Sequence, residues 1–236
     1  RDVDLWVLPE LCTTGYQFKS RPELKGFAEE FPGSHTSDKM QKLSSRLNTA
    51  IILGVAEKSG SNLFNSAAVY GNGNFKGIYR KIHLFDREKK CFDSGQQSPG
   101  IFDIQGVQVG VMICFDWIFP ETARSLALQG AQLIAHPANL VLPYCQDAMV
   151  TRSIENKVFT ATANRFGTEN RTGQKLTFTG KSQVTDIDGS RLGQLSQNKE
   201  QVLKVDIDPA RASQKSINDN NDLFQDRRTD LYTLDK

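Results

Sequence analysis

Residues 110–121 read GVMICFDWIFPE, and the pattern around them sets the fold class. The largely apolar run at residues 107–113 predicts a buried strand. Pro120 at a first helical position and Gly130 just past the last one bracket a short helix. An apolar run at residues 133–135 predicts the next strand. The resulting strand–helix–strand unit is typical of an α/β sheet.

Strands and helices alternate along the rest of the chain. The turn-rich tetrad GNGN at residues 71–74 predicts a β-hairpin loop. Because we find no repeat and no linker, the alternation predicts one layered α/β domain over residues 1–236, with a polar tail from about residue 209. The remaining predicted strands are 3–8, 49–56, 64–70, 75–79, 159–163 and a closing meander at 182–187, 192–195 and 202–207; the remaining helices are 37–46 and 146–157.

Composition excludes several function classes. Of the 236 residues 38% are hydrophobic, which is enough for a folded core. The net charge is only +2 and the basic residues are scattered, so neither a nucleic acid nor an anionic membrane is an expected partner. No apolar run approaches the ~18 residues of a membrane span. Four cysteines without a C-x-x-C motif, in a chain without an export signal, predict reduced thiols in a cytoplasmic protein.

Familiar cofactor and metal motifs do not fit. The glycine pattern at residues 71–77 has one residue too many for a dinucleotide fingerprint and lies between strands. The serine nucleophile motif G-x-S-x-G is absent. The three histidines, His35, His83 and His136, lack the i, i+4 spacing of a metal-binding pair. The sequence therefore predicts neither a metal site nor a cofactor.

Cys114 is the strongest nucleophile candidate, because it follows a buried strand, where open α/β sheets bind ligands. Glu10 holds the matching position after the first strand, Lys81 follows the hairpin, and Glu88 comes next. Taken singly, each has an ordinary structural interpretation. The cysteine would be a small buried hydrophobe, Glu10 a turn residue, and the other two surface charges.

Sequence blocks that contain these residues follow one another along nearly the whole chain. They are residues 8–10 (LPE) with Gly15-Tyr16; 80–85 (RKIHLF) with Glu88; 113–116 (ICFD) with 119–121 (FPE); 136–139 (HPAN); 178–182 (FTGKS); and 227–232 (RRTDLY). In this order the blocks resemble the carbon–nitrogen hydrolase, or nitrilase, superfamily.

The resemblance implies a four-layer α-β-β-α sandwich that pairs through helices into a homodimer or a higher homo-oligomer. Family members carry a strand and a helix before the strand that bears the glutamate, and this sequence lacks both. We therefore expect a shortened N-terminus, which agrees with the apolar edge that an unpartnered first strand would expose.

The resemblance also implies roles for the site residues. Cys114 is the expected nucleophile, Glu10 the general base, Lys81 the cationic stabiliser and Glu88 a second carboxylate. A free thiol of pKa ~8.5 is mostly protonated at neutral pH, so a carboxylate must accept its proton during attack. Lys81 and the backbone N–H of Phe115 would then bind the oxyanion.

The residues near the motifs favour a small carboxamide as substrate. Phe115-Asp116 follows the nucleophile, where nitrile-cleaving relatives tend to have Trp-Glu, so the resemblance is closer to the amidase branches. Tyr16, Trp117 and Phe119 are expected to line an apolar pocket, although core packing explains each equally well. Tyr16, Trp117 and also Phe115 are the aromatic residues expected to bind substrate. Asn139, after the strand that follows the nucleophile's helix, is expected to contact substrate.

Three alternatives stay open at this point. The same residues would also hydrolyse N-carbamoyl compounds, releasing ammonia and carbon dioxide. A non-catalytic assembly module would keep the sandwich without the chemistry. A metal hydrolase would use His83 or His136 as ligands.

Overall fold

The computed structural model describes residues 3–233 as two main β-sheets with helices on their outer faces, together with two small two-stranded sheets. Residues 1–2 and 234–236 of the predicted domain lie outside the described residues. The strands are β1 (Leu5–Val7), β2 (Ala50–Ser59), β3 (Asn62–Gly71), β4 (Asn74–Arg80), β5 (Ile101–Ile104), β6 (Val107–Val111), β7 (Leu133–Ala138), β8 (Phe159–Asn164), β9 (Phe166–Glu169), β10 (Leu176–Thr179), β11 (Gln183–Thr185), β12 (Arg191–Gln194), β13 (Ser216–Asn218) and β14 (Asn221–Asp222). The α-helices are α1 (Arg21–Phe27), α2 (His35–Leu47), α3 (Glu88–Cys91), α4 (Pro120–Leu128) and α5 (Cys145–Asn156), and 3-10 helices span Cys114–Ile118 and Pro209–Ser213.

The two main sheets differ in topology. The first has the order β1-β2-β3-β4, with β1 parallel to β2 and the other pairs antiparallel. The second has the order β12-β11-β8-β7-β6-β5, and its central strands β6, β7 and β8 are parallel. The predicted unit at residues 107–135 forms β6, α4 and β7, because parallel neighbours need a crossover connection.

Alternation along β2 shows how the layers are built. Ile52 points into the core between the sheets, in one buried cluster with Val109 and Val111 of the second sheet. Ile51 and Leu53 belong to another buried cluster on the outer face, against which α2 packs. A strand that is buried on both faces reads as a continuous apolar run. With α4 and α5 packed on the second sheet, the predicted four-layer α-β-β-α sandwich is confirmed.

One predicted strand is wrong. Residues 202–207 form no strand, so the predicted closing meander consists of β11 and β12 alone among its three predicted strands. Leu203 packs over Gly193 of β12, and Val202 is 71% exposed. The segment therefore covers the sheet through side chains and does not pair through its backbone.

The helices described between residues 3 and 233 include none with the length and apolar character to cross a membrane.

Candidate active site

Chain segments that leave three strands meet at one buried site. Glu10 follows β1, Lys81 follows β4, and Cys114 begins the 3-10 helix after β6. Lys81 Nζ lies 2.7 Å from Glu10 Oε1 and 2.8 Å from Glu88 Oε2. The Cys114 thiol is close enough for the charges of these three residues to act on its pKa. The structure therefore brings together the four residues that the sequence singles out.

Two glycines allow the backbone to pack closely beside the site. A Cβ on Gly54 in β2 would lie 2.4 Å from Glu10 Cα. A Cβ on Gly95 would lie 2.3 Å from the carbonyl oxygen of Arg80, which precedes Lys81. Only a residue without a side chain fits at either position, so these glycines fix how the Glu10 and Lys81 segments approach.

Lys81 is a buried cation that faces two carboxylates. Its side chain is 0% exposed, and those of Glu10 and Glu88 are 0% and 3% exposed. Burial acts to lower the pKa of Lys81, but the negative charges of Glu10 and Glu88 raise it above its ordinary value overall. Lys81 is therefore an ammonium group at neutral pH, held where negative charge can develop.

Asn65 on β3 is a site residue that the sequence analysis missed. Its Nδ2 donates to Glu10 Oε1 at 2.7 Å and to Glu88 Oε1 at 3.3 Å. Its backbone carbonyl accepts from the Lys81 N–H at 2.9 Å. The available signal was a polar Asn-Ser pair within an apolar strand, since buried polar groups need hydrogen-bond partners.

Glu88 is a buried carboxylate whose protonation is perturbed. Both of its oxygens lie 2.8 Å from Lys81 Nζ, and Oε2 also accepts from the backbone N–H of Phe85 at 2.8 Å. Burial raises the pKa of Glu88 to about 7, because the attraction of Lys81 is opposed by the charge of Glu10. One ammonium group cannot fully stabilise two buried anions, so Glu88 holds a proton more tightly than an exposed glutamate does.

The raised pKa of Glu88 predicts a specific pH dependence of stability. Between pH 4.5 and about 7 the folded protein binds this proton more tightly than the unfolded chain does. Its free energy of unfolding should therefore fall as the pH rises through this window. Glu88→Gln lacks this titrating group and is the reference. Between pH 4.5 and about 7, the free energy of unfolding measured by urea denaturation should fall on the order of 2 kcal/mol more in the unsubstituted protein than in Glu88→Gln. Parallel pH trends for the two proteins would contradict the assignment.

Cys114 occupies a strained and buried turn. Its φ is 42°, in the left-handed region that costs a non-glycine residue of order 1 kcal/mol or more. The residue is 5% exposed. Burial and the charge of Glu10 raise the pKa of the thiol well above its ordinary value, against the opposing effects of Lys81 and the backbone N–H of Asn139. At rest the sulfur is thus a protonated thiol, which needs a base before it can attack.

His136 on β7 supports this turn from the second sheet. Its Nε2 donates to the carbonyl oxygen of Cys114 at 2.9 Å, and Nδ1 lies 3.1 Å from Thr162 Oγ1. Burial lowers the pKa of His136, so the imidazole is neutral. Residues 3–233 contain no cluster of three or more His, Cys, Asp or Glu side chains arranged to hold a metal ion. The sequence analysis placed His136 in one of the blocks that carry the resemblance and named it as a possible metal ligand, but gave it no part in supporting Cys114.

Two of the predicted substrate-binding residues lie beside the reactive groups. Tyr16 stacks edge to face on Phe178, with ring centroids 5.9 Å apart. Burial and the charges of Glu88 and Glu10 raise the pKa of Tyr16 well above its ordinary value. Asn139 donates from Nδ2 to the Glu10 backbone carbonyl at 2.8 Å and so also fixes the Glu10 segment.

The other two predicted substrate-binding residues follow Cys114 closely in the chain. Phe115 is half-buried, and its ring centroid lies 4.9 Å from that of Phe85 and 5.5 Å from that of Phe119. Trp117 is buried in the core between the layers, and its carbonyl accepts from Arg152 Nε at 3.2 Å. Phe115 thus belongs to an aromatic group at the edge of the site, whereas Trp117 packs as a core residue; substrate contact by either stays a prediction.

Comparison with known proteins gives consistent matches. The family model described as carbon-nitrogen hydrolase matches residues 1–215. A protein of Pyrococcus abyssi named nitrilase is 47% identical, over 98% of this chain and 86% of its own length. The crystal structure of a carbon-nitrogen hydrolase from Helicobacter pylori is 26% identical, with a TM-score of 0.77 over 84% of this chain and 74% of that one.

A second solved structure includes a modified cysteine. It is a variant amidase from Nesterenkonia sp., 25% identical, with a TM-score of 0.76 over 97% of this chain and 82% of that one. That structure shows covalent addition of the acetamide moiety of fluoroacetamide at the active site cysteine.

Proposed function

Because the chain belongs to the carbon–nitrogen hydrolase family, we propose that it hydrolyses the C–N bond of small carboxamides through a cysteine thioester and releases ammonia. In this proposal Cys114 is the nucleophile, Glu10 the general base and Lys81 the oxyanion stabiliser. Glu88 orients Lys81.

One observation carries the proposal: a buried thiol lies beside an ammonium group that two carboxylates share. Glu10 Oε1 is occupied by Lys81 Nζ and Asn65 Nδ2, both at 2.7 Å. Glu10 Oε2 is buried and accepts no hydrogen bond from the described residues. That oxygen is therefore free to take the proton of the Cys114 thiol, whose raised pKa makes such a base necessary.

The acylation step follows from these positions. Cys114 Sγ attacks the carbonyl carbon of the amide while its proton passes to Glu10. The oxyanion that forms is stabilised by Lys81 and the backbone N–H of Phe115, and removing such a donor typically costs about 3 kcal/mol in the barrier. Glu10 then gives the proton to the amide nitrogen, the C–N bond breaks, and ammonia leaves a thioester on Cys114.

Deacylation uses the same groups. Glu10 takes a proton from a water molecule, and the resulting hydroxide attacks the thioester carbon. The C–S bond breaks, the carboxylic acid leaves, and the proton on Glu10 returns to the sulfur. Glu88 bonds Lys81 through both oxygens at 2.8 Å, so it keeps the ammonium group in one orientation through both steps.

Unpartnered acceptor atoms favour an amide over a nitrile. Asn65 Oδ1 and Asn139 Oδ1 are buried and, like Glu10 Oε2, accept no hydrogen bond from residues 3–233. A primary amide brings two N–H donors to such acceptors, whereas a nitrile brings none. Sites with buried polar groups discriminate strongly against analogues that leave those groups unpaired.

A substrate panel tests the proposal. Ammonia release would be measured from small primary amides, N-carbamoyl amino acids and nitriles, with mass spectrometry of the Cys114 peptide after quenching. We expect primary amides to react fastest, with an acyl adduct on Cys114, and we expect a chelator to leave the rate unchanged.

The other outcomes identify the alternatives. Faster ammonia release from N-carbamoyl compounds or from nitriles would replace the amide assignment. Loss of activity on chelation would favour a metal hydrolase. No ammonia and no adduct from any compound would favour a non-catalytic assembly module.

We also propose that the chain forms a homodimer or a higher homo-oligomer through its helices. Leu128 at the end of α4 and Ile154 on α5 are 44% and 49% exposed, which leaves apolar side chains on this outer layer. The small-molecule amide partner and the cytoplasmic location stay predictions.

A further inference from the structure

Asp116 lies two residues after Cys114, inside the 3-10 helix, and is fully buried. Its Oδ2 accepts from the backbone N–H of Ile113 and from the Tyr79 hydroxyl, both at 2.8 Å. Its Oδ1 accepts from His83 Nδ1 at 2.8 Å and from the His83 backbone N–H at 3.3 Å. Because a carboxylate oxygen accepts, His83 Nδ1 is the donor in this contact. Both oxygens of the buried Asp116 side chain are thus hydrogen-bonded.

The donors to Asp116 lie on both sides of Lys81 in the chain. Tyr79 lies two residues before Lys81, and His83 lies two residues after it. Within the described chain, every hydrogen bond between residues 79–83 and residues 112–117 ends on the Asp116 carboxylate. The His83 ring also stacks on Phe119, which follows the 3-10 helix, with centroids 3.8 Å apart. Asp116 therefore joins the segment of the cation to the segment of the nucleophile.

We propose that Asp116 is a positioning residue, which sets the placement of the Cys114 sulfur relative to the Lys81 ammonium. It does so by hydrogen bonds from the turn that contains Cys114 to Tyr79 and His83, which lie before and after Lys81 in the chain. The inference builds on the proposed function but concerns a residue outside the reacting groups. Asp116 would act only through Cys114 and Lys81, without touching substrate.

The strain in the nucleophile turn explains why such a contact is needed. Cys114 has φ 42°, an unfavourable conformation that persists only where the surroundings determine it fully. Asp116 fixes the turn through two hydrogen bonds to Ile113. Its backbone N–H donates to the Ile113 carbonyl at 3.0 Å, and its side chain accepts from the Ile113 N–H. Burial and the charge of Asp116 raise the pKa of Tyr79, so the tyrosine stays a protonated donor. Misplacing a reacting group by about 1 Å can cost on the order of 10²-fold in rate.

Tyr79→Phe and Asp116→Asn test the proposal, with Tyr70→Phe as matched control. Tyr79→Phe removes one hydroxyl and leaves the reacting groups untouched. Asp116→Asn keeps the shape but replaces one acceptor by a donor that faces the His83 N–H groups. Tyr70 is a fully buried tyrosine of β3, in the outer cluster against which α2 packs. Tyr70→Phe therefore removes the same chemical group as Tyr79→Phe, but away from Asp116 and Cys114.

Two readouts are measured on the folded variants. For the best amide of the panel, we expect kcat to fall about tenfold in Tyr79→Phe and about 10²-fold in Asp116→Asn, with KM within about twofold. Iodoacetamide alkylation of Cys114, followed by peptide mass spectrometry, should slow in both variants and shift to higher pH. The exposed Cys12 is the internal standard for alkylation, and reaction of the buried Cys145 would report unfolding. Tyr70→Phe should match the unsubstituted protein in both readouts.

Alkylation needs no turnover, so the result is informative even if no amide in the panel is hydrolysed. A folded Tyr79→Phe protein with unchanged kcat and unchanged Cys114 alkylation overturns the proposal, and it does so even where Asp116→Asn fails to fold. Equal effects from Tyr70→Phe and Tyr79→Phe would show a merely structural role and also overturn it.

Discussion

Replacing Cys114 with alanine is expected to abolish amide hydrolysis while leaving the fold intact. The sulfur is the only protein atom in the proposed mechanism that bonds to the substrate carbon, so its loss removes the acyl-enzyme route. Removal of a nucleophile from such a constellation typically lowers kcat by a factor on the order of 10⁴ or more. The residue is buried but small, so thermal unfolding should change little. Ammonia release and thermal denaturation measure the two effects.

The other buried cysteines provide the control. Cys91 and Cys145 are 7% and 0% exposed and lie outside the site, so Cys91→Ala and Cys145→Ala should keep turnover. Both variants should still form the acyl adduct on Cys114, whereas Cys114→Ala should form none. A Cys114→Ala protein that hydrolysed the best substrate at a comparable rate would disprove the assignment of the nucleophile.

Replacing Lys81 with methionine is expected to reduce both catalysis and stability strongly. Methionine keeps much of the side-chain volume but leaves Glu10 and Glu88 buried without their cation. Breaking a buried ion pair by removing one partner typically costs about 3–5 kcal/mol of stability. Loss of an oxyanion donor should lower kcat on the order of 10²–10³-fold in addition. Urea denaturation and steady-state kinetics measure the two losses separately.

A second substitution separates the two effects. The double variant Lys81→Met/Glu88→Gln has one buried carboxylate fewer, so it should recover part of the lost stability without recovering activity. Lys58→Met is the control, since Lys58 pairs with Glu30 at 3.2 Å on the surface and should change stability by less than about 1 kcal/mol. If Lys81→Met unfolded at the same urea concentration as the unsubstituted protein, Lys81 would not be the charged partner described here.

Much of the fold follows from local patterns. Apolar runs place β2, β3 and β7 because a strand buried on both faces has few polar positions, and Pro120 and Gly130 mark α4. Residues 202–207 show where such patterns stop being sufficient. Their side chains alternate as in a strand, but whether a neighbouring backbone pairs with them is decided by the tertiary structure, in which Leu203 packs over Gly193 without backbone pairing.

The candidate site divides in the same way. Glu10, Lys81, Glu88 and Cys114 stand out in sequence because they are the reactive residue types in the blocks that carry the resemblance. Asn65 lies in no such block, and the blocks that contain His136 and Asp116 give them no role, because the importance of all three comes from hydrogen bonds to residues far away in the chain. Asn65 reaches Glu10 across 55 positions, and the Tyr79 hydroxyl reaches Asp116 across 37.

Local periodicity in the sequence is thus sufficient to predict one layered α/β domain, because it is a property of neighbouring residues. The four-layer sandwich and the chemical types that meet in it are implied by the family resemblance. The protonation states are set only after folding. The pKa of Glu88 rises to about 7, and that of the Cys114 thiol rises well above its ordinary value, because burial removes water and brings the charge of Glu10 close to both. Desolvation and charge proximity depend on the whole assembled structure.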